Sequence, residues 1–403
     1  MSTLPLPLAR VAPARLVALV ALASLAMAVD IGVTRITYGV ALAAIRRDLD
    51  LSFSVSGTLA SIHLAGYLVG SVIVPRLARR HRLLLLCVVA HLALAAGLVA
   101  SALAHDTVTL GVARLLMGVA AGVGVSAAVA MTLDATPVAH RGSVSAAVWA
   151  GIGLAIVASG ASVVALLDAN GGWRMAHLVG AGLAVMVGAG FAWLGQPAAA
   201  HLATPASPVR KPAASRTKRS WLRLMASYFA FGAAYLSYST FAGTELAALG
   251  ATHALLATFW IVLGLALIAG AAACVLVIRH GQWKDHALWM ALLAGAAGAA
   301  ITLVPGTAAL VLSAFVVGLG LASAPAMTTA AIRERSTDAE YLRRFSIATA
   351  WLALGQVAGP AIAGMLADHL GPGSASLFAA CAYAAAAFLA YADARAVVAF
   401  DQH

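Results

Sequence analysis

The chain has 403 residues, 63% of them hydrophobic and 10% charged, with a mean hydropathy of +0.96. A water-soluble domain carries about 25% charged residues, so this composition excludes one, and with it disordered, collagen-like and disulfide-scaffold chains. The net charge of +11 would point to nucleic acid in a soluble protein, but excess Lys and Arg is also the mark of cytoplasmic loops between membrane helices.

A bilayer core takes about 20 apolar residues per helix. The sequence offers twelve such runs, near 16–44, 53–75, 83–103, 107–134, 142–167, 174–195, 221–248, 253–278, 286–304, 307–331, 345–367 and 374–397. They are rich in Ala, Leu, Val and Gly, and small residues let helices approach closely in lipid. The first run opens like a secretory signal, with arginines before Leu16 and the small triplet Ala26, Met27, Ala28. Its apolar character continues past Asp30 to Ala44, which predicts a retained first helix. The alternation expected of a membrane barrel is absent.

With the N-terminus placed in the cytoplasm, 20 of the 25 Lys and Arg fall on the cytoplasmic side. Three fall outside (Arg46, Arg47, Arg174), and two, Arg35 and Arg114, lie within helices. This asymmetry predicts both termini in the cytoplasm. It also accounts for the basic charge without nucleic acid.

Residues 196–220 form the one long polar stretch, rich in Pro, Ala and Ser. Linker composition there divides the chain into an N-terminal six-helix bundle, 1–195, and a C-terminal one, 221–403. The halves echo each other. Gly151 and Gly160 in helix 5 stand 204 residues before Gly355 and Gly364 in helix 11, and the basic loop at 76–82 recurs in position at 279–285. Such duplication is the repeat plan of many secondary transporters, whose solute site lies between the halves near the midplane.

The sequence resembles the major facilitator superfamily (MFS) in Arg114-Leu-Leu-Met-Gly118-Val-Ala-Ala-Gly122 of helix 4. A second likeness is the basic loop Arg76-Leu-Ala-Arg-Arg-His-Arg82, which lacks the usual Asp. More narrowly it resembles the YbfB/YjiJ group. Here the carriers are Gly32-Val-Thr-Arg35-Ile-Thr-Tyr38, the stretches 59–70 and 150–160, Gly172-Trp-Arg-Met-Ala176, and 355–368. The resemblance implies an all-α integral membrane protein. Its twelve transmembrane helices would form two pseudo-symmetric bundles that alternate between inward- and outward-facing states. It leaves the solute open, relatives being linked with copper or riboflavin uptake.

Ionisable groups inside a membrane are costly and mark candidate sites. Asp30, midway along helix 1, is the candidate proton-coupling group. Arg35 and Arg114 offer donor forks suited to an anion. On helix 7, Tyr228, Phe231, Tyr235 and Tyr238 recur at intervals of 3, 4 and 3, one helical stripe that suits a flat, partly apolar solute. Tyr38, His63 and Tyr67 complete the candidate solute set. His91 and His177 rank below them as packed core groups, and Glu245 reads as an interfacial charge. For gating, Arg76, Asp134 and Arg141 can exchange ion pairs at the cytoplasmic end. Gly151, Gly160, Gly355, Gly359, Pro360 and Gly364 let helices 5 and 11 pack closely and rock.

A Cu(I) path wants paired soft ligands about one turn apart, and the candidates Met225 and His253 have Phe229 and Ala257 in those places. No nucleotide-binding loop is present, so enzyme or ATPase chemistry is not expected, and no cofactor or metal is implied. The expectation is a monomeric, proton-coupled secondary transporter of a small organic, anionic or aromatic solute in the bacterial inner membrane. Its partners would be the solute, lipid and protons. Drug efflux, copper import and a non-transporting sensor on the same scaffold are the alternatives.

Overall fold

The computed structural model describes residues 13–77, 82–137, 140–168, 172–195, 218–280 and 284–401. Among them are twelve helices and no strand. Helix α1 joins an α-helical stretch Pro13–Met27, a π-helical stretch Ala28–Ile36 and a second α-helical stretch Thr37–Asp48. It is followed by α2 (Phe53–Leu77), α3 (Leu83–Ala102), α4 (Thr107–Asp134), α5 (Arg141–Asp168) and α6 (Gly172–Leu194). Then come α7 (Lys218–Ala248), α8 (His253–His280), α9 (Lys284–Ile301), α10 (Thr307–Glu334), α11 (Asp338–Leu370) and α12 (Gly373–Asp401).

Ten of the twelve are long and apolar enough to cross a bilayer. In α7, three tyrosines and several Ser and Thr lower the hydropathy, and the apolar part of α9, His286–Ile301, is short. The stretch read as a linker, 196–220, lies outside the described residues except for 218–220, which already belong to α7.

Within each block of six, short connections make successive helices antiparallel. The hydrogen bonds from Arg15 to the Leu194 carbonyl and from Ser220 to Asp393 show that each block starts and ends on one face. The two ends of the described chain therefore share one face, here the terminal face, and the loop after α1 lies on the opposite, far face. Within the first six helices, α4 packs on α2 and α3, α3 on α6, and α5 on α1. The second six repeat the plan: α10 packs on α8 and α9, α9 on α12, and α11 on α7.

Where α2 meets α4, two Gly-x-x-x-Gly steps face each other. A Cβ at Gly118 would stand 2.0 Å from the His63 carbonyl oxygen, and one at Gly122 would stand 2.2 Å from that of Tyr67. The reciprocal positions Gly66 and Gly70 would meet the carbonyls of Leu115 at 2.5 Å and Val119 at 2.2 Å. Lipid gives helices no hydrophobic drive to associate, so backbone contact of this kind joins them.

The far ends of the bundles are also tied alike. Asp48 at the end of α1 accepts from Trp173 Nε1 at 3.0 Å and pairs with Arg174, both at the start of α6. Glu245 near the end of α7 accepts from the Ser376 backbone N–H at 2.9 Å and from its hydroxyl, at the start of α12. Glu245 is 3% exposed, not the interfacial charge its position suggested. A carboxylate at a helix N-terminus satisfies donors that the helix leaves open.

The two bundles touch along three seams, all away from the terminal face. On α2 and α11, Gly57 lies against the Pro360 carbonyl, where a Cβ would stand 2.0 Å from oxygen, and Gly364 lies against Phe53. Asp368 of α11 accepts from the backbone N–H groups of Phe53 and Ser54 at 2.8 and 2.9 Å and from the Ser54 hydroxyl, so it caps α2 across the seam. On α5 and α8, Gly160 meets Trp260, and on α1 and α7, Gly39 meets the Ser239 carbonyl. Towards the terminal face the halves part. Of the residues described over 141–150 and 341–350, Val148 and Ala348 alone are buried. A cleft therefore opens between the bundles on the terminal face and closes on the far face.

This seam yields a test. Gly57→Val puts side-chain carbons where Pro360 has backbone, without touching contacts inside either bundle. The protein is expected to fold but to lose the closed far face, seen as lengthened spin-label distances between the far ends of α2 and α11. Unchanged distances would refute the seam.

Candidate functional site

Arg35 lies in the π-helical stretch of α1, at the level where the cleft ends. Its guanidinium stacks on the Tyr67 ring of α2, with the carbon 4.3 Å from the ring centre. Tyr235 of α7 also interacts with it, and that hydroxyl accepts from Gln356 Nε2 of α11 at 2.6 Å. Four helices from both bundles thus converge on one arginine. Arg35, Tyr67 and Tyr235 are half-buried, as wall residues of a cleft are. The Arg35 Nε and Nη2 nitrogens have no hydrogen-bond partner. Two guanidinium nitrogens left without an acceptor deep among apolar helices are costly.

The other candidates pack elsewhere. Arg114 of α4 is 2% exposed, donates from Nε to the Leu59 carbonyl at 2.8 Å and lies 3.6 Å over the Tyr38 ring. Tyr38 donates to the Ser56 carbonyl at 2.9 Å, and His63 Nδ1 meets the Arg114 carbonyl at 3.2 Å. Arg114, Tyr38 and His63 therefore form one buried block tying α1, α2 and α4, one layer behind the cleft. The helix 7 stripe divides in the same way. Tyr238 turns into the second bundle, with its hydroxyl 2.7 Å from Ser313 Oγ, while Phe231 stacks on both Tyr228 and Tyr235. Phe231 also meets Tyr383 of α12. Only Tyr235 of the stripe reaches Arg35.

Asp30 is 1% exposed and points away from the cleft, to α3 and α4. Its Oδ2 is 3.6 Å from His91 Nε2, and neither carboxylate oxygen has a hydrogen-bond partner. It fits there because position 124 is Gly, where a Cβ would stand 2.6 Å from Oδ2.

At the terminal face, Arg76 Nη1 donates to Val72 O of its own helix at 3.1 Å, and Arg141 Nε donates to Thr136 O at 3.2 Å. Asp134 is exposed, and no ion pair joins these three among the described residues. The glycines of α5 and α11 stand in equivalent places. Gly151 meets Ser24 of α1 and Gly355 meets Phe229 of α7, each inside its own bundle. Gly160 and Gly364 meet the opposite bundle, and Gly359, next to Pro360, meets Ala233.

A model for the family described as "uncharacterised MFS-type transporter YbfB" matches residues 27–393. The chain belongs to this family of MFS transporters. The transporter finds no match among curated proteins. Among solved structures it is similar to a mutant of the nucleoside transporter NupG, with TM-score 0.76 and 12% identity over 94% of this chain and 99% of that one. The D-xylose-proton symporter aligns with TM-score 0.70 and 14% identity, over 93% and 97%. A bacterial homologue of the human lysosomal transporter Spinster, inward-facing and unoccupied, gives 0.70 and 14%, over 96% and 95%. At these identities the likeness shows the fold. It agrees with the paired six-helix plan, and the transporter is a multi-pass membrane protein rather than an enzyme.

Sequence reading passed over Gln356 and ranked His91 low. Both carried a usable signal, since a polar side chain in an apolar helix seeks a partner on a facing one. The π-helical stretch had no sequence signature.

Proposed function

We propose that this transporter moves a small organic anion with a flat or partly apolar body, driven by protons. The observation that carries the reading is Arg35, with two donor nitrogens unpaired at the closed end of a cleft walled by both bundles. A carboxylate or phosphate would take those donors, and Tyr67 and Tyr235 offer ring faces beside them. Asp30 is the proton site, a carboxyl with two free oxygens in the same π-helical stretch. The D-xylose-proton symporter supplies a precedent for proton coupling within the fold.

We place the transporter in the bacterial inner membrane as a monomer, with both termini in the cytoplasm, on the distribution of Lys and Arg. The cleft then faces inward. The three seams open and the terminal ends of α5 and α11 close when the site turns outward. Arg76, Asp134 and Arg141 stand where new pairs can form in that state.

The experiment uses proteoliposomes and whichever aliphatic or aromatic carboxylate most stabilises the purified protein in a thermal-shift screen. Wild type is expected to accumulate it when a pH gradient is imposed. Asp30→Asn is expected to lose that accumulation while retaining counterflow of labelled solute. Accumulation undiminished in Asp30→Asn would remove the proton role, and absence of counterflow in wild type would remove transport of that solute class.

A further inference from the structure

His91 of α3 is held by a second contact that settles its chemistry. Its Nδ1 lies 2.7 Å from the Cys87 carbonyl oxygen. A carbonyl can only accept, so Nδ1 carries a proton, and in the neutral ring Nε2 is left with a lone pair. That lone pair faces Asp30 Oδ2 at 3.6 Å, and Nε2 has no other partner. Two buried acceptors therefore face each other with no donor between them. One added proton resolves this by forming a hydrogen bond between the carboxyl and the imidazole, after an approach of about 0.7–0.9 Å.

The surroundings restrict where such a proton can go. The titratable groups around the pair are Arg35 on α1, Tyr67 on α2 and Cys87 on α3. From α4 comes Gly124, and from α6 the Phe191 ring, 5.6 Å from that of His91. Arg35 is thus the nearby permanent charge, and its cation favours the unprotonated, anionic pair. An anion bound at Arg35 cancels that field.

Resting on Asp30 as the proton site, we propose that Asp30 and His91 hold the coupling proton as a pair. We further propose that an anionic solute on Arg35 promotes its uptake, so that solute and proton cross together. The linkage is reciprocal: a protonated pair strengthens the hold of Arg35 on the solute by the same factor. Exchange of solute for proton would require the opposite sign. His91 is a positioning residue here, acting through Asp30.

Infrared difference spectroscopy of the full-length protein tests this without a solute. Wild type is expected to show a protonated-carboxyl band that vanishes in Asp30→Asn. In His91→Gln the band is expected to change frequency and lose its original pH response. Gly124→Ala, which keeps both titratable groups and crowds Oδ2, is expected to shift the same band. Arg35→Gln is expected to raise the protonated fraction at fixed pH, moving half-protonation by about one pH unit.

A band indifferent to both His91→Gln and Gly124→Ala in folded protein overturns the pair. A band indifferent to Arg35→Gln overturns the linkage. Either result stands apart from the Asp30→Asn accumulation experiment, which can succeed or fail independently.

Discussion

An Arg35→Gln protein is expected to fold and to bind carboxylate-bearing solutes about tenfold to a hundredfold more weakly than wild type, the equivalent of about 1.5–3 kcal/mol for hydrogen bonds to a charged donor. Folding is expected to survive because Nε and Nη2 have no hydrogen-bond partner, so the loss on the protein side is confined to the guanidinium's interactions with Tyr67 and Tyr235. Of these, the stacking on Tyr67 contributes about 0.5–1 kcal/mol. Arg35→Lys keeps the charge but not the planar fork, and is expected to fall between the two. Calorimetric titration of purified protein with the carboxylate chosen by thermal shift makes the measurement. Equal affinities in wild type and Arg35→Gln would show that the anion sits elsewhere.

The second large effect is structural. Gly118→Val is expected to abolish accumulation of folded protein, while Leu116→Val at a 56% exposed position of the same helix is expected to be harmless. The clash at Gly118 is with backbone, His63 O at 2.0 Å and the Tyr67 nitrogen at 3.0 Å, which no rotamer change relieves. Either α2 separates from α4 or the helices lose register, and both undo the Gly66, Gly70 and Gly122 contacts as well. The cost is expected to exceed the about 1–3 kcal/mol of ordinary overpacking. Detergent-solubilised yield and the thermal midpoint measure it. A folded Gly118→Val protein of wild-type stability would mean that the close approach of α2 and α4 is not required. Arg114, four residues before Gly118, sits on the same seam and bonds Leu59 of α2. The Arg-and-glycine pattern of this helix thus holds two helices together rather than lining the cleft.

Much of the architecture was legible because lipid simplifies the rules. Helices in a bilayer must be long, apolar and internally hydrogen-bonded, so length and composition identify them one at a time. Tyr67, Tyr235 and Arg35, which the structure brings together, were legible as candidates because polar groups are scarce and expensive in such helices. Tyr38, His63, Arg114 and Tyr238 carried the same signal, yet the structure buries them behind the cleft. A polar side chain in an apolar helix announces a partner but not its direction. For Tyr238 the partner is Ser313 in its own bundle, and for Arg114 it is a backbone carbonyl of α2. Asp30 shows the same limit. Its depth was readable, but its turn towards His91 and Gly124 depends on how far α1 is rotated.

By itself the sequence determined the membrane class, the number of helices, the repeat at 204 residues and the family, all properties carried by single segments or by their order. Tertiary structure alone decided which face of each helix meets the cleft, which bundle each glycine touches, and on which side the cleft opens. The physical reason lies in helix rotation, about 100° per residue, which the π-helical turn at Ala28–Ile36 changes between Asp30 and Arg35. That turn is stabilised by packing between helices distant in sequence, as where Gly32 lies against Ala155 of α5. No local pattern encodes it.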